Sequence, residues 1–388
     1  MTTSNDYLVF GAPDIRTPEI TEVVAAMESG WIGTGPRVHQ FESAFALYKD
    51  ASAERVAAVN SCTAALHLSL LAADIGPGDE VITSALTFCA TANAIIHSGA
   101  TPVLADVDPV TMNLDADDVA RRLSPRTRAV IPVHFAGRPC AMDRLGVLAQ
   151  ESGLTIIEDC AHAVEAEFRG RPVGTLGDLG CFSFYVTKNL TCGEGGMVIA
   201  KSERHIERIK RLALHGLSHD AWNRYGDEGY RHYRVTDCGY KYNMMDIQAA
   251  IGLHQLQRLE EGWMRRQTLW QRYMEALSEL PLTLPAKPEP DTRHALHLFT
   301  ILVDPERCGT SRDELLAGLH GKGIGAGVHY VSLAEHPYYQ ERFGWQAADC
   351  PEAWRVGRQT LSIPLSPKLS EPEQDRVIAA LHDLCRPA

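Results

Sequence analysis

The chain has 388 residues, 45% hydrophobic and 22% charged, with a net charge of −12. That length exceeds what one simple core accommodates, so two domains are expected, and the acidic balance argues against a nucleic-acid partner. No run approaches the ~20 apolar residues that span a bilayer, so no membrane association is expected.

The opening stretch, MTTSNDYLVFGAPDIRTPE, has no basic segment leading into an apolar one. A cytoplasmic protein without a signal peptide is expected. The ten cysteines are scattered, with no CxxC pair and no zinc-like spacing, which points to reduced, mostly buried thiols and no metal.

From residue 55 to about 200, β-rich runs alternate with helix-like stretches. Strands are expected at 55–59, 80–84, 103–107, 129–135, 155–158, 181–185 and 197–200. Between several of them lie helical segments such as TAALHLSLLAADIG, ATANAIIHSGA and MDRLGVLAQESG. Such alternation predicts an α/β fold, a mostly parallel sheet covered on both faces, with ligands outside the carboxyl ends of the strands. Residues 246–277 read as one long helix, with Leu253, Leu256, Leu259 and Trp263 at three- and four-residue steps. A Pro-rich connection, LPLTLPAKPEP, and a strand-like LHLFTILVD then open a second, smaller α/β unit. The expected division is a large domain over 1–250, including an N-terminal arm, and a linking helix with a small domain over 251–388.

Three motifs fall at strand ends. In NSCTAAL (60–66), Ser61 and Thr63 lead into a helix, either as caps or as part of an anion site made of free N–H groups. In IIEDCAHA (156–163), two acids and a histidine close an apolar strand. In SFYVTKNLTCGEGGMV (183–198), one lysine, Lys188, stands between a strand and a Gly-Glu-Gly-Gly turn. Each has a plain alternative: a cap, a capping carboxylate, a solvated lysine. A phosphate-binding helix start, an acid at a strand end and a lysine about 30 residues later are together what pyridoxal 5'-phosphate (PLP) requires. The amine makes the Schiff base, and the carboxylate keeps the pyridine nitrogen protonated.

With GWIGTGP (30–36), GPGDEVI (76–82), GYKYNMMDIQAAIG (239–252) and GVHY (327–330), these motifs resemble the DegT/DnrJ-type sugar-nucleotide aminotransferases among fold-type I PLP enzymes. The likeness spans nearly the whole chain. It implies a large, mostly parallel seven-stranded sheet domain with a smaller C-terminal domain. Within the family, EDCAHAV, KNLTCGEGG, HGLSHDA, GYKYNMMDI and ERCGTSRDEL are most similar to the UDP-4-amino-4-deoxy-L-arabinose–oxoglutarate aminotransferases.

The resemblance makes Lys188 the Schiff-base lysine and Asp159 the partner of the pyridinium. It makes Phe88, otherwise a core residue by its apolar run, the aromatic that stacks on the ring. Cys62, Thr63 and Ser183 match phosphate-binding positions, and His162 lies beside the cofactor. Lys241 and Asn243 sit on a loop reaching the other subunit's phosphate, which implies a homodimer with shared active sites. Thr34, His329 and Tyr330 match positions near the substrate. Two residues depart from the family pattern. Cys62 stands where glycine is frequent. So does Glu165, whose carboxylate is expected to face solvent, with an effect on substrate choice as the alternative.

The implied reaction moves an amino group from L-glutamate to a nucleotide-linked keto sugar, at C4 of a 4-keto sugar. A keto-cyclitol acceptor and a sugar-nucleotide dehydratase are the alternatives. Dehydratases of this scaffold have histidine in place of the lysine, and Lys188 is present here.

Overall fold

The computed structural model describes residues 7–217 and 234–385. Residues 218–221 of the HGLSHDA stretch, and residues 1–6 of the expected N-terminal arm, lie outside them. Short apolar runs form β1 (Val56–Val59), β2 (Glu80–Ser84), β3 (Thr101–Ala105), β4 (Thr127–Ile131) and β5 (Thr155–Asp159). A small hairpin, β6 (Glu167–Phe168) and β7 (Arg171–Pro172), precedes β8 (Leu179–Ser183) and β9 (Gly196–Ala200). Beyond residue 290 come β10 (Thr292–Arg293), β11 (Phe299–Leu302) and β12 (Thr360–Ile363).

Seven strands make one sheet in the order β1-β9-β8-β5-β4-β2-β3. Neighbours from β8 to β3 run parallel, whereas β9 is antiparallel to both β1 and β8. The expected seven-stranded, mostly parallel sheet is present. Its core strands are buried along both faces because helices cover the sheet on either side.

Several strands differ from expectation at their ends. β4 starts at Thr127 and stops at Ile131, before Pro132, which has no N–H to give to the ladder. Residues 135–137 instead form a single 3₁₀ turn with Ala136 at φ 56°.

The helix expected over 246–277 is two helices, Asp246–Gln257 and Leu259–Ala276, broken at Arg258. Arg258 has φ −114° and ψ 16°; its guanidinium bonds the Asp14 carbonyl and pairs with Glu19. The break lets Leu256 and Leu259 share the large core, while Leu269, Tyr273 and Leu277 enter a second one. That second core is closed by the antiparallel pair β11 and β12 and by helices Arg312–Gly321 and Glu371–Leu384. All ten cysteines are free; eight are buried, Cys89 is half-buried and Cys238 is exposed.

Sheet register collects the motifs at one end. Gly196, the first residue of β9, pairs with Val59 on one side and Ser183 on the other. Asp159, the last of β5, pairs with Cys181 of β8. The segments after β1, β5 and β8 therefore emerge side by side. A Cβ at Gly196 would come within 2.5 Å of the Ser61 backbone, so only glycine permits β9 to pass this close to the helix start.

Candidate active site

Where these strands end, a cavity of about 570 Å³ opens. The structure brings Cys62, Thr63, Phe88, Asp159, His162, Ser183, Lys188, His329 and Tyr330 around it. Thr34, Lys241 and Asn243 do not line it. Instead the Asn243 amide donates to Thr34 Oγ1 at 2.7 Å, and Thr34 donates to the Met244 carbonyl at 2.6 Å. Lys241 is exposed.

The helix Cys62–Ala72 starts at the cavity. Ser61 caps it by accepting the Ala64 N–H at 3.1 Å, so the capping reading holds. The N–H groups of Cys62 and Thr63 have no acceptor among the described residues. Two free donors at the positive end of a helix dipole, beside hydroxyls of Thr63 and Ser183, make a site for a phosphate.

Asp159 has no ion-pair partner among the described residues, although it is buried. Thr91 donates its hydroxyl to Oδ2 at 2.8 Å, and the Ala161 N–H bonds Oδ1 at 3.1 Å. Burial pushes its pKa up, while these two donors and the nearby Lys188 pull it down. Thr91 is held in turn by Thr87, at 2.9 Å between the oxygens. With the Thr91 hydrogen committed to Asp159, Thr87 is the donor of that pair.

Glu158 is the neighbouring acid but is fully spent. It accepts from His134 Nε2 and from the N–H groups of Gly174, Leu176 and Gly177, and its pKa is lowered despite burial. The trio His134, Glu158 and Cys160 is close enough to hold a metal. His134 Nδ1 already accepts the Cys140 N–H, however, and the Glu158 oxygens are occupied.

Lys188 lines the open cavity and is half-buried. Loss of hydration nevertheless lowers its amine pKa to about 8, against the pull of Cys62 and Asp159. His162 Nδ1 accepts the Ala136 N–H at 3.3 Å, which leaves the proton on Nε2, facing Tyr330 Oη at 3.0 Å. Burial holds the His162 pKa well below the ordinary imidazole value. Phe88 keeps 57% of its surface exposed, so its ring is free to stack rather than locked in the core.

The fit to PLP is complete in kind: an anion site at a helix start, an unpaired buried carboxylate, a weakly basic lysine and an open aromatic face.

Glu165 corrects an expectation. It does not face solvent: 2% exposed, it pairs with the buried guanidinium of Arg266 and accepts from Asn189. Asn189, His297, Thr87 and Thr91 were not anticipated. Thr87 and Thr91 flank Phe88 in LTFCAT, where two hydroxyls in an apolar run were the available signal.

Fold and site together define a PLP-dependent transferase of fold type I. The chain belongs to the DegT/DnrJ/EryC1/StrS aminotransferase family, whose model matches residues 13–382. Its class is that of the PLP-dependent sugar aminotransferases. The spore coat polysaccharide biosynthesis protein SpsC of Bacillus subtilis (strain 168) is 47% identical over 99% of this chain and 98% of its own. Among solved structures, the aminotransferase TlmJ of Streptoalloteichus hindustanus superposes with a TM-score of 0.89 at 34% identity, over 97% of this chain and 98% of that one. Spr1654 of Streptococcus pneumoniae, a candidate sugar aminotransferase in its PMP form, superposes with a TM-score of 0.91 at 32% identity, covering 97% of each chain.

Proposed function

We propose that the enzyme moves an amino group from L-glutamate to C4 of a nucleotide-linked 4-keto sugar. The carrying observation is that Lys188 and Asp159 line one cavity, the lysine with a lowered pKa and the acid without a cation of its own. Bound there, PLP supplies an electron-withdrawing ring that accepts electron density from the substrate carbon.

Lys188 Nζ takes the proton from the α-carbon of the amino donor and delivers it onward. Its lowered pKa keeps a useful fraction of the amine neutral near pH 8. Asp159 holds a positive ring nitrogen by charge, and Thr91, donating to that carboxylate, favours its ionised form and aims it. Cys62, Thr63 and Ser183 bind the cofactor phosphate; Phe88 covers one ring face. His162 donates to Tyr330 and so frees the Tyr330 hydroxyl hydrogen to point elsewhere. His329 and Tyr330 are placed to meet the sugar, with His329 held by a 2.9 Å contact to Ser362 Oγ.

The narrower motifs favour a UDP-linked 4-ketopentose over dTDP- or GDP-linked 4-keto-6-deoxyhexoses, and the polysaccharide role of SpsC supports a sugar acceptor. Lys241 and Asn243, outside the cavity of their own chain, complete the partner's site in a cytoplasmic homodimer. The division near residue 250 separates the cofactor-binding unit from the smaller one.

The test loads the enzyme with amine from L-glutamate, removes the keto acid and screens keto acceptors for return of the original cofactor absorbance. Return with a nucleotide-linked 4-keto sugar is expected. Return only with keto-cyclitols, or no bleaching by L-glutamate, would contradict the assignment.

A further inference from the structure

We propose that Glu165 is a positioning residue for Lys188, acting through Asn189, and that Arg266 anchors it. The inference rests on the proposed role of Lys188. Asn189 is the next residue in the chain, and every polar atom of its side chain is used. Its Nδ2 donates to Glu165 at 2.9 and 3.1 Å and to the Ala295 carbonyl at 2.9 Å. Its Oδ1 lies 2.9 Å from His297 Nδ1. A carbonyl only accepts, so the amide orientation is set and His297 is the donor to Oδ1.

These contacts tie three segments of the chain together at the residue beside the lysine. Glu165 follows Asp159 and His162 on the segment after β5, whereas Asn189 follows Lys188 on the segment after β8. The His297 ring packs 4.5 Å from that of His162. Glu165 thus joins the acid-bearing segment to the lysine-bearing one. Arg266, on the helix Leu259–Ala276, holds its carboxylate from behind.

Packing alone does not hold this segment. A cavity of about 60 Å³ lies behind it, lined by Thr187, Lys188 and Asn189 on one side and by Gly11, Arg258 and Arg266 on others. Side chains therefore do not fill the space against this part of the chain. Nor is the buried ion pair explained by stability, since burying two charges costs about as much as their attraction returns. A directional hold on Asn189 is what the pair adds.

The test compares PLP-reconstituted wild type, Asn189→Ala, Glu165→Met and Lys188→Ala, reading the pH titration of bound-cofactor absorbance alongside kcat and KM. Asn189→Ala leaves the Glu165–Arg266 pair intact. It should displace the titration midpoint and lower kcat by about 10–10²-fold with the amino-donor KM little changed, the cost of a misplaced reacting group. Glu165→Met, which leaves Asn189 Nδ2 without that acceptor, should do the same. Because it orphans the Arg266 charge, it is paired with the double variant Glu165→Met, Arg266→Leu, which should regain thermal stability without regaining kcat.

A folded Asn189→Ala with wild-type midpoint and kcat would overturn the inference. So would a double variant that recovers both stability and turnover, since the pair would then be structural. Lys188→Ala separates the two readings: if it keeps the wild-type titration, the role of Lys188 itself has failed.

Discussion

Thr91 and Asp159 are joined by a 2.8 Å hydrogen bond in which the hydroxyl donates and the carboxylate accepts. The bond favours the ionised acid in a place where burial opposes it. Thr91→Val conserves shape and removes the donor. It should raise the Asp159 pKa further and lower kcat, with cofactor still bound through the phosphate site. Turnover equal to wild type, together with an unchanged pH–rate profile, would show that Thr91 does not tune the acid.

Asp159→Asn tests the acid itself. A neutral amide cannot hold a positive ring nitrogen by charge, so proton transfer in a single turnover should slow while cofactor binding persists. Normal single-turnover rates would remove Asp159 from the mechanism. They would not promote Glu158, whose oxygens are already occupied by four donors.

Lys188 predicts a pH dependence of stability in the cofactor-free protein. Its amine pKa is lowered from 10.5 to about 8. Between those values the unfolded chain binds the proton and the folded chain does not, so this group makes stability rise with pH across that window. Lys188→Met removes the dependence. The variant should melt above wild type at neutral pH, and the gap should shrink as pH climbs from about 8 towards 10.5. Lys49, buried and also lowered to about 8, titrates in both proteins and cancels in the difference. A gap that widens with pH would reverse the sign and contradict the account.

The Lys241 loop predicts complementation between subunits. Lys241 and Asn243 do not line the cavity of their own chain, and Asn243 is bonded to Thr34. Lys188→Ala is mixed with a second inactive variant altered at both Lys241 and Asn243. If the loop acts in trans, a mixed dimer has one site with both defects and one with neither, so activity reappears. No recovery after confirmed subunit exchange would place the loop in its own subunit's site or outside any site.

Much of this site was legible because strand ends announce themselves. An apolar run that ends in a polar residue, as at Asp159 or Ser183, marks where the chain leaves a buried sheet. The alternation of runs likewise implied parallel strands. Strand order was not legible, nor was the reversal of β9, because neither changes which residues are buried. Glu165 was misread for a related reason. A carboxylate in a loop is normally solvated, and the partner that buries it, Arg266, lies 101 residues away. Arg258 also looked like an ordinary polar position in a continuous amphipathic pattern. Its break follows from its hold on Asp14 and Glu19, contacts that exist only once the N-terminal segment has packed.

The central claim is that the Lys188 amine performs the proton transfer, and Lys188→Ala tests it most directly. The variant keeps the helix-start phosphate site and Asp159, so it should still bind PLP. A shuttle base contributes ~10²–10⁴-fold, and transamination by the purified variant should fall by that amount or more. Retained cofactor with that loss is the predicted result; turnover within about tenfold of wild type would contradict it.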